Sequence, residues 1–314
     1  MWDKIKLVFC LLITIALAVC GVVFTAPLSN HQIETIKILA IICGSSVLYC
    51  FIVGEISRNN SQMDKLWSLL PIAYTWVIAG MGGMKIRLVI IAIVVTIWGL
   101  RLTYNFAKKG AYSLKFWTGV EDYRWVYLRK QKILKNKFVW AIFDLLFISG
   151  FQNFLVLAMT LPAVAIMETD KSFGVWDIIA LILMVGFLVL EIVADHQQNK
   201  FQVKKYEYLN SGKKLEELPD PYNRGFLVKG LWSMMRHPNY LGEQGIWVAL
   251  YLFTIGAGVT QYGIFNWSIV GAMLLLMIFM GSSRMSESMS NKKYPEYKNY
   301  QKQVFKYIPI KKYR

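Results

Sequence analysis

Long runs of apolar residues, separated by polar segments, dominate the hydrophobic pattern of the chain. The runs lie at 5–24, 33–54, 66–83, 86–104, 138–166, 175–194, 241–259 and 264–283. A helix of about 20 apolar residues crosses a hydrocarbon core about 30 Å thick. The pattern therefore predicts an all-α, polytopic transmembrane bundle of about eight spans, within a range of roughly seven to ten. With no Pro- or Ser-rich linker and no repeat, we expect residues 1–314 to form a single membrane domain.

Two runs leave alternatives open. The run 5–24 follows Lys4 and Lys6, as the apolar part of a signal peptide would, but no small-residue cleavage site follows it, so we interpret it as a retained first span. The run 138–166 is longer than one untilted helix needs and contains Gly150 and Pro162 as candidate breaks. It predicts either one long span or an interfacial helix followed by a span.

Composition and charge support a membrane protein and give its orientation. The chain is 56% hydrophobic and its mean hydropathy is +0.41. The net charge is +16, and of the 35 Lys and Arg residues nine fall in 105–137, eight in 195–240 and nine in 284–314. Because basic segments stay on the cytoplasmic side, and because even numbers of predicted spans separate these three, we expect both termini to be cytoplasmic. No RNA-binding motif or recognition helix accompanies the charge, so we expect no nucleic acid partner.

The cysteines and histidines argue against a disulfide framework and a metal centre. All four cysteines lie inside the first two apolar runs, where they behave as small hydrophobes. The three histidines, His31, His196 and His237, are far apart in the sequence. We therefore predict no metal site.

Several polar side chains fall at membrane depth, where a charged group costs about 2.5–3.5 kcal/mol to insert. They are Arg101, Asp144, Gln152, Asn153 and Glu191. Glu191 also begins a row with Asp195, Gln198 and Gln202 that falls on one face of a helix. Two interpretations of that face remain open: a solvated helix surface, or one wall of a polar ligand site.

The stretch GLWSMMRHPNYLGEQGIW concentrates polar groups directly before an apolar run. Pro238 is suited to the first turn of a helix, and free amides beside a guanidinium and an imidazole form a receptor for phosphate. This favours a nucleotide pocket within the cytoplasmic segment 195–240 over a basic-aromatic interfacial belt. Such a belt would not explain Asn239 and Glu243. The candidate residues are Arg236, His237, Asn239, Tyr240 and Glu243.

The segment 284–314 forms a basic cytoplasmic tail. It begins with Arg284 and Glu287 and continues as KKYPEYKNYQKQVFKYIP. Lysines interleaved with tyrosines are typical of a surface helix on anionic lipid headgroups. Arg284, at the predicted end of the last span, is also a candidate for the nucleotide pocket.

The motifs GLWSMMRHPNYLGE, KYPEYKNYQKQVFKYIP, DHQQNKF, LWSLLPIAYTW, WGLRLTYNF and EDYRW resemble the DUF1295 branch of the steroid 5-alpha-reductase superfamily. The resemblance implies a membrane helical bundle that uses NADPH to reduce a carbon–carbon double bond in a lipophilic, steroid-like or isoprenoid substrate. It places the cofactor on the cytoplasmic side, against Arg236, His237, Asn239, Tyr240, Glu243, Asp195, Gln198, Lys200 and Arg284. It also implies that Tyr104 donates to the substrate carbonyl, helped by Arg101 or Glu191.

A second family shares part of this pattern. RHPxY followed by glycine also occurs in isoprenylcysteine carboxyl methyltransferases and phospholipid methyltransferases, which bind S-adenosylmethionine. Those enzymes usually carry paired glutamates after the last span, where this chain has RMSES with the single Glu287. The alternatives to a reductase are therefore a lipid methyltransferase and a non-catalytic lipid-binding membrane protein. The expected partners are a lipophilic small molecule and membrane lipids, and the oligomeric state stays open.

Overall fold

The computed structural model describes residue 16 and residues 27–259, 264–310 and 312–313. Apart from residue 16, the predicted first span at 5–24 lies outside the described residues. The long regular elements of the described part are helices, as the apolar pattern predicted, and the all-α fold is confirmed. They are α1 (Asn30–Ser57), α2 (Gln62–Leu66), α3 (Leu70–Met81), α4 (Ile86–Ala107), α5 (Tyr123–Arg129), α6 (Lys137–Phe143), α7 (Gln152–Ile166), α8 (Val175–Asn210), α9 (Pro238–Gly256), α10 (Val270–Lys293) and α11 (Tyr297–Gln303).

Five helical stretches in the described residues are long and apolar enough to cross a membrane. They are Asn30–Ser57, Ile86–Ala107, Lys137–Ile166, Val175–Asn210 and Trp267–Lys293. The predicted run 66–83 corresponds to the short apolar helix α3, which has a proline in its first turn and is not among these five. The number of spans and the cytoplasmic location of both termini remain predictions.

The run 138–166 forms one continuous helical stretch, without a break at either Gly150 or Pro162. Between α6 and α7 the stretch widens into a π-helical segment, Asp144–Phe151. Within it the Ser149 hydroxyl donates to Asp144 Oδ1 at 3.0 Å, and the Asn153 amide donates to the Ser149 carbonyl at 2.7 Å. Widened turns free backbone groups that nearby polar side chains can satisfy, which explains why these residues are tolerated at membrane depth.

The chain divides into two compact units. Unit 1 comprises Met1–Ala180 and Leu250–Leu274, and unit 2 comprises Leu181–Ala249 and Leu275–Arg314. The single-domain organisation stays a prediction. Within unit 1, the Arg87 guanidinium forms a buried ion pair with Asp177 at 2.7 Å. Within unit 2, residues of the loop before α9 and of the C-terminal segment form a largely aromatic core: Phe226, Val228, Tyr294, Tyr297, Tyr300 and Val304.

Candidate functional site

A close approach between α8 and α9 positions the candidate site in unit 2. A Cβ atom placed on Gly242 would lie 2.6 Å from the Cβ of Glu191 and 2.9 Å from the carbonyl oxygen of Phe187. One on Gly245 would lie 2.3 Å from the Phe187 ring. Real Cβ atoms do not approach neighbours so closely, so glycine at these positions allows the two helices to pack in contact. The glycines of the LGEQG stretch thus bring α9 against the polar face of α8.

The turn before α9 is also attached to α8. Gly230 adopts a φ of +63°, in the left-handed region that favours glycine. The next amide, that of Leu231, donates to Gln197 Oε1 at 3.0 Å, and the Trp232 indole donates to the Ala194 carbonyl at 3.1 Å. The 3₁₀ turn Gly230–Ser233 is therefore fixed to α8 just before the RHPN motif begins.

Arg236 is bound to the C-terminal segment. Its Nε donates to Glu287 Oε1 at 2.7 Å, and its Nη1 donates to the carbonyls of Gln301 and Val304 at 3.0 and 2.5 Å. The backbone amides of Arg236 and His237 donate to the carbonyls of Phe305 and Lys306. Arg236 Nη1 therefore holds the C-terminal end of α11, and Nε binds Glu287 on α10, which is a structural role that the motif alone did not indicate.

Glu287 on α10 is the centre of this arrangement. Its Oε1 lies 3.0 Å from His237 Nε2, and its Oε2 accepts from the Gln301 amide at 2.9 Å. We call Arg236, His237, Glu287 and Gln301 the carboxylate cluster. Sequence reasoning noted Glu287 only as a single glutamate and missed its role. A signal was present, because an arginine beside an apolar helix requires a counter-charge when it is buried.

His237 is neutral near pH 7. Burial lowers its pKa below the ordinary value, and the hydrogen bond to Glu287 opposes this shift without reversing it. A carboxylate accepts hydrogen bonds and does not donate them, so the neutral ring must carry its proton on Nε2 and donate it to Glu287. Since Glu287 is also the partner of Arg236, the cluster balances one guanidinium against one carboxylate.

Tyr240 and Glu243 lie in the first turns of α9, as Pro238 predicted. The His237 ring stacks on the Tyr240 ring with centroids 5.0 Å apart, and the Phe279 ring meets Tyr240 edge-on at 4.8 Å. Glu243 is buried, and the Trp247 indole donates to its Oε1 at 3.3 Å. The first turns of α9 thus present an aromatic surface beside a buried carboxylate.

Two amide side chains on α8 and α9 have a buried acceptor oxygen without a hydrogen-bond partner among the described residues. They are Oε1 of Gln198 and Oδ1 of Asn239. The Asn239 amide nitrogen donates to Asp195 Oδ1 at 3.2 Å. Because Asp195 can only accept, this bond fixes which end of Asn239 is the nitrogen and leaves the oxygen without a donor. We call Gln198 and Asn239 the amide pair.

The remaining predicted residues are placed as follows. Lys200 is exposed on α8, Arg284 is half-buried on α10 one turn before Glu287, and Glu191 is buried beside Gly242. Arg101 and Tyr104 belong to unit 1, where the Tyr104 side chain is 59% exposed and the Lys108 ammonium lies 4.4 Å above its ring. The catalytic roles predicted for Tyr104, Arg101 and Glu191 stay predictions.

The helices and the site together define an integral membrane protein whose polar side chains cluster at the start of an apolar helix. A family model described as "Protein of unknown function (DUF1295)" matches residues 50–304, so the chain belongs to this family. This confirms the family assignment made from the motifs.

Two relatives add to this assignment. An uncharacterized protein of Schizosaccharomyces pombe is 35% identical over 290 residues, covering 84% of this chain and 78% of that protein. A Delta(14)-sterol reductase of Mus musculus is 36% identical over 66 residues, covering 21% of this chain and 15% of that protein. The second match agrees with membership of the steroid 5-alpha-reductase superfamily. No solved structure gives a significant match.

Proposed function

We propose that this protein is an NADPH-dependent membrane reductase of a carbon–carbon double bond in a lipophilic substrate, such as a steroid-like or isoprenoid enone. The observation that carries the proposal is the amide pair: two buried oxygen acceptors, one of them on the side chain bonded to Asp195, that have no donor among the described residues. The similarity to a sterol reductase supports the reaction class.

The amide pair fits a ligand that brings hydrogen-bond donors. A buried acceptor without a partner costs about 1–3 kcal/mol, which a donor from a ligand recovers. Ribose hydroxyls and a carboxamide, both parts of NADPH, are such donors. The bond between Asn239 and Asp195 holds the Asn239 oxygen in one orientation before a ligand arrives, which lowers the entropic cost of binding.

The phosphates of the cofactor require cations, and the candidates are unequal. Arg236 already uses two of its nitrogens on the protein, so its contribution is mainly to hold the C-terminal segment. Lys200 is exposed, so its long side chain can move toward a phosphate, and Arg284 presents a guanidinium on a half-buried side chain of α10. We therefore assign phosphate recognition to Lys200 and Arg284, and a positioning role to Arg236.

NADPH, when bound, would supply a hydride to the beta carbon of the enone. As the hydride adds, negative charge grows on the substrate's carbonyl oxygen, and a donor aimed at that oxygen lowers the barrier. A proton from water would then add to the alpha carbon and complete the reduction. The resemblance to the reductases predicts Tyr104 as this donor, with Arg101 or Glu191 assisting it. The buried Glu243 and the aromatic surface of Tyr240 would orient the ligand at the start of α9.

Thermal stabilisation by candidate cofactors tests the proposal. A ligand at 100 times its dissociation constant adds about 2.7 kcal/mol of stability. The purified protein in neutral detergent should therefore melt several degrees higher with NADPH and at an unchanged temperature with S-adenosylmethionine. Stabilisation by S-adenosylmethionine alone would instead identify a methyltransferase. No stabilisation by either would favour a non-catalytic lipid-binding protein.

A further inference from the structure

Unit 1 contains a basic cavity that the proposed reductase does not use. Its volume is about 250 Å³, and none of the described residues that line it is a carboxylate. The side chains around it include two arginines, two lysines, an amide and an indole: Arg58, Arg129, Lys135, Lys137, Asn60 and Trp140. A single water molecule occupies about 30 Å³ in the liquid, so the cavity has room for a polyatomic group.

The cavity lies where two candidate membrane spans end. Arg58 is the residue immediately after α1, and Lys137 is the first residue of the Lys137–Ile166 helix. Both helices are long and apolar enough to cross a bilayer. A site at the polar ends of two spans is at the depth of lipid headgroups, on the side that the basic segment 105–137 predicts to be cytoplasmic.

The positive charge at the cavity is only partly compensated by the protein. Arg58 pairs with Glu55 at 3.0 Å, and Arg129 pairs with Glu121. Neither Lys135 nor Lys137 has a carboxylate within ion-pair distance among the described residues. The lining therefore has an excess of two positive charges.

The Arg129 guanidinium is held in position and still has an unused donor. It lies 5.2 Å from the centre of the Trp140 ring, which fixes its plane. Its Nε is buried and has no hydrogen-bond partner among the described residues. A guanidinium N–H without an acceptor is costly, and because Arg129 lines the cavity, an anion bound there is the nearest candidate acceptor.

We propose that this cavity binds a phosphate monoester, as carried by a lipid headgroup or by a free phosphate compound. A phosphate monoester has a charge of about −1.5 to −2 near pH 7, which matches the two uncompensated lysines. Its three terminal oxygens can accept from Arg129 Nε and from both ammonium groups. The phosphodiester of an ordinary anionic lipid carries only a single charge and is the weaker ligand.

Lipid-binding measurements on the purified full chain test this inference. Native mass spectrometry in neutral detergent would compare phosphatidic acid, a phosphomonoester lipid, with phosphatidylglycerol, a phosphodiester lipid. We expect phosphatidic acid to bind about tenfold more tightly, since one additional charge-assisted contact is worth about 1.4 kcal/mol. The double variant Lys135→Gln/Lys137→Gln should lose this preference.

The matched control is Lys130→Gln/Lys132→Gln, which removes two exposed lysines of the same segment outside the cavity lining. It should retain the preference within about twofold. Equal binding of the two lipids, or equal losses in the two double variants, would overturn the proposal in favour of diffuse attraction to anionic headgroups.

Competition with inorganic phosphate distinguishes a lipid headgroup from a free phosphate compound as the ligand. Displacement of phosphatidic acid by millimolar phosphate would show that the phosphate group itself suffices. Retention of the lipid would assign the site to a membrane headgroup. Either result supports the cavity as the site when the lysine variant has lost the preference.

Discussion

The carboxylate cluster and the amide pair each include residues of the RHPN motif, but they differ in how fully the protein satisfies their hydrogen-bonding groups. In the cluster, Arg236 and His237 share the Glu287 carboxylate, and Arg236 Nη1 donates to a backbone carbonyl of the C-terminal segment. In the amide pair, Gln198 and Asn239 retain buried oxygens without a donor. The comparison teaches that the first half of the RHPN motif holds the structure together, while Asn239 keeps an unsatisfied acceptor oxygen that we propose a ligand occupies.

Removal of the Glu287 charge should produce the largest effect. Glu287→Gln leaves Arg236 without its buried counter-charge, and breaking a buried pair costs about 3–5 kcal/mol. The melting temperature in detergent should fall by roughly 6 °C or more. The control Glu296→Gln removes an exposed partner of Arg224 and should change stability by less than about 0.5 kcal/mol. If both substitutions lowered the melting temperature equally, the carboxylate cluster would have no special structural role.

Gly242→Ala should have the next largest effect, because it separates α8 from α9. The new Cβ would lie 2.6 Å from Glu191 Cβ, and overpacking of this kind costs about 1–3 kcal/mol. Gly281→Ala on α10 is the matched control, since no atom lies within 4 Å of its Cβ position. In thermal melting, Gly242→Ala should lower the melting temperature and Gly281→Ala should leave it nearly unchanged. A harmless Gly242→Ala would show that the helices do not need this close approach.

Gln198→Met sharpens the comparison by separating stability from binding. It replaces a buried acceptor without a partner by an apolar group of similar shape, so stability should be unchanged or slightly higher. The affinity for NADPH should fall about tenfold, which corresponds to about 1.4 kcal/mol. Gln202→Met, on the same helix, should leave affinity unchanged. A variant that loses stability but binds NADPH with normal affinity would show that Gln198 has a structural role and does not contact the cofactor.

Acid should weaken the carboxylate cluster through His237. Because its folded-state pKa lies below the ordinary value of about 6.5, the unfolded chain takes up a proton first as the pH falls. Stability contributed by neutral His237 is complete above that value and decreases below it, by at most about 1 kcal/mol between pH 7 and 5.5. His237→Gln should melt with a smaller pH dependence over this interval. An unchanged dependence would show that another group causes it.

The sequence predicted the helices better than the contacts between them. The runs 33–54 and 86–104 correspond to α1 and α4, because length and apolarity are local properties. The predicted row from Glu191 to Gln202 does lie on a single helix, and α9 does begin at Pro238. The run 175–194 covers only the apolar part of α8. The helix continues through a polar segment to Asn210, which an apolar pattern does not mark.

The partners of the motif could not be predicted from local pattern. Arg236 meets Glu287 and the carbonyls of Gln301 and Val304, which lie more than fifty residues further along the chain. A sequence motif shows which groups are present but not which of them the fold has already neutralised. Assigning Arg236 to a phosphate followed from its chemistry, and only the folded chain shows two of its nitrogens engaged.

The most direct test of the account is a fluorescence titration of the purified protein with NADPH, in the wild type and in Asn239→Leu. We predict saturable binding to the wild type that is at least tenfold weaker in Asn239→Leu and unchanged in Glu296→Gln. Binding that survives Asn239→Leu at full strength, or saturation by S-adenosylmethionine in place of NADPH, would contradict the assignment of the amide pair to a nicotinamide cofactor.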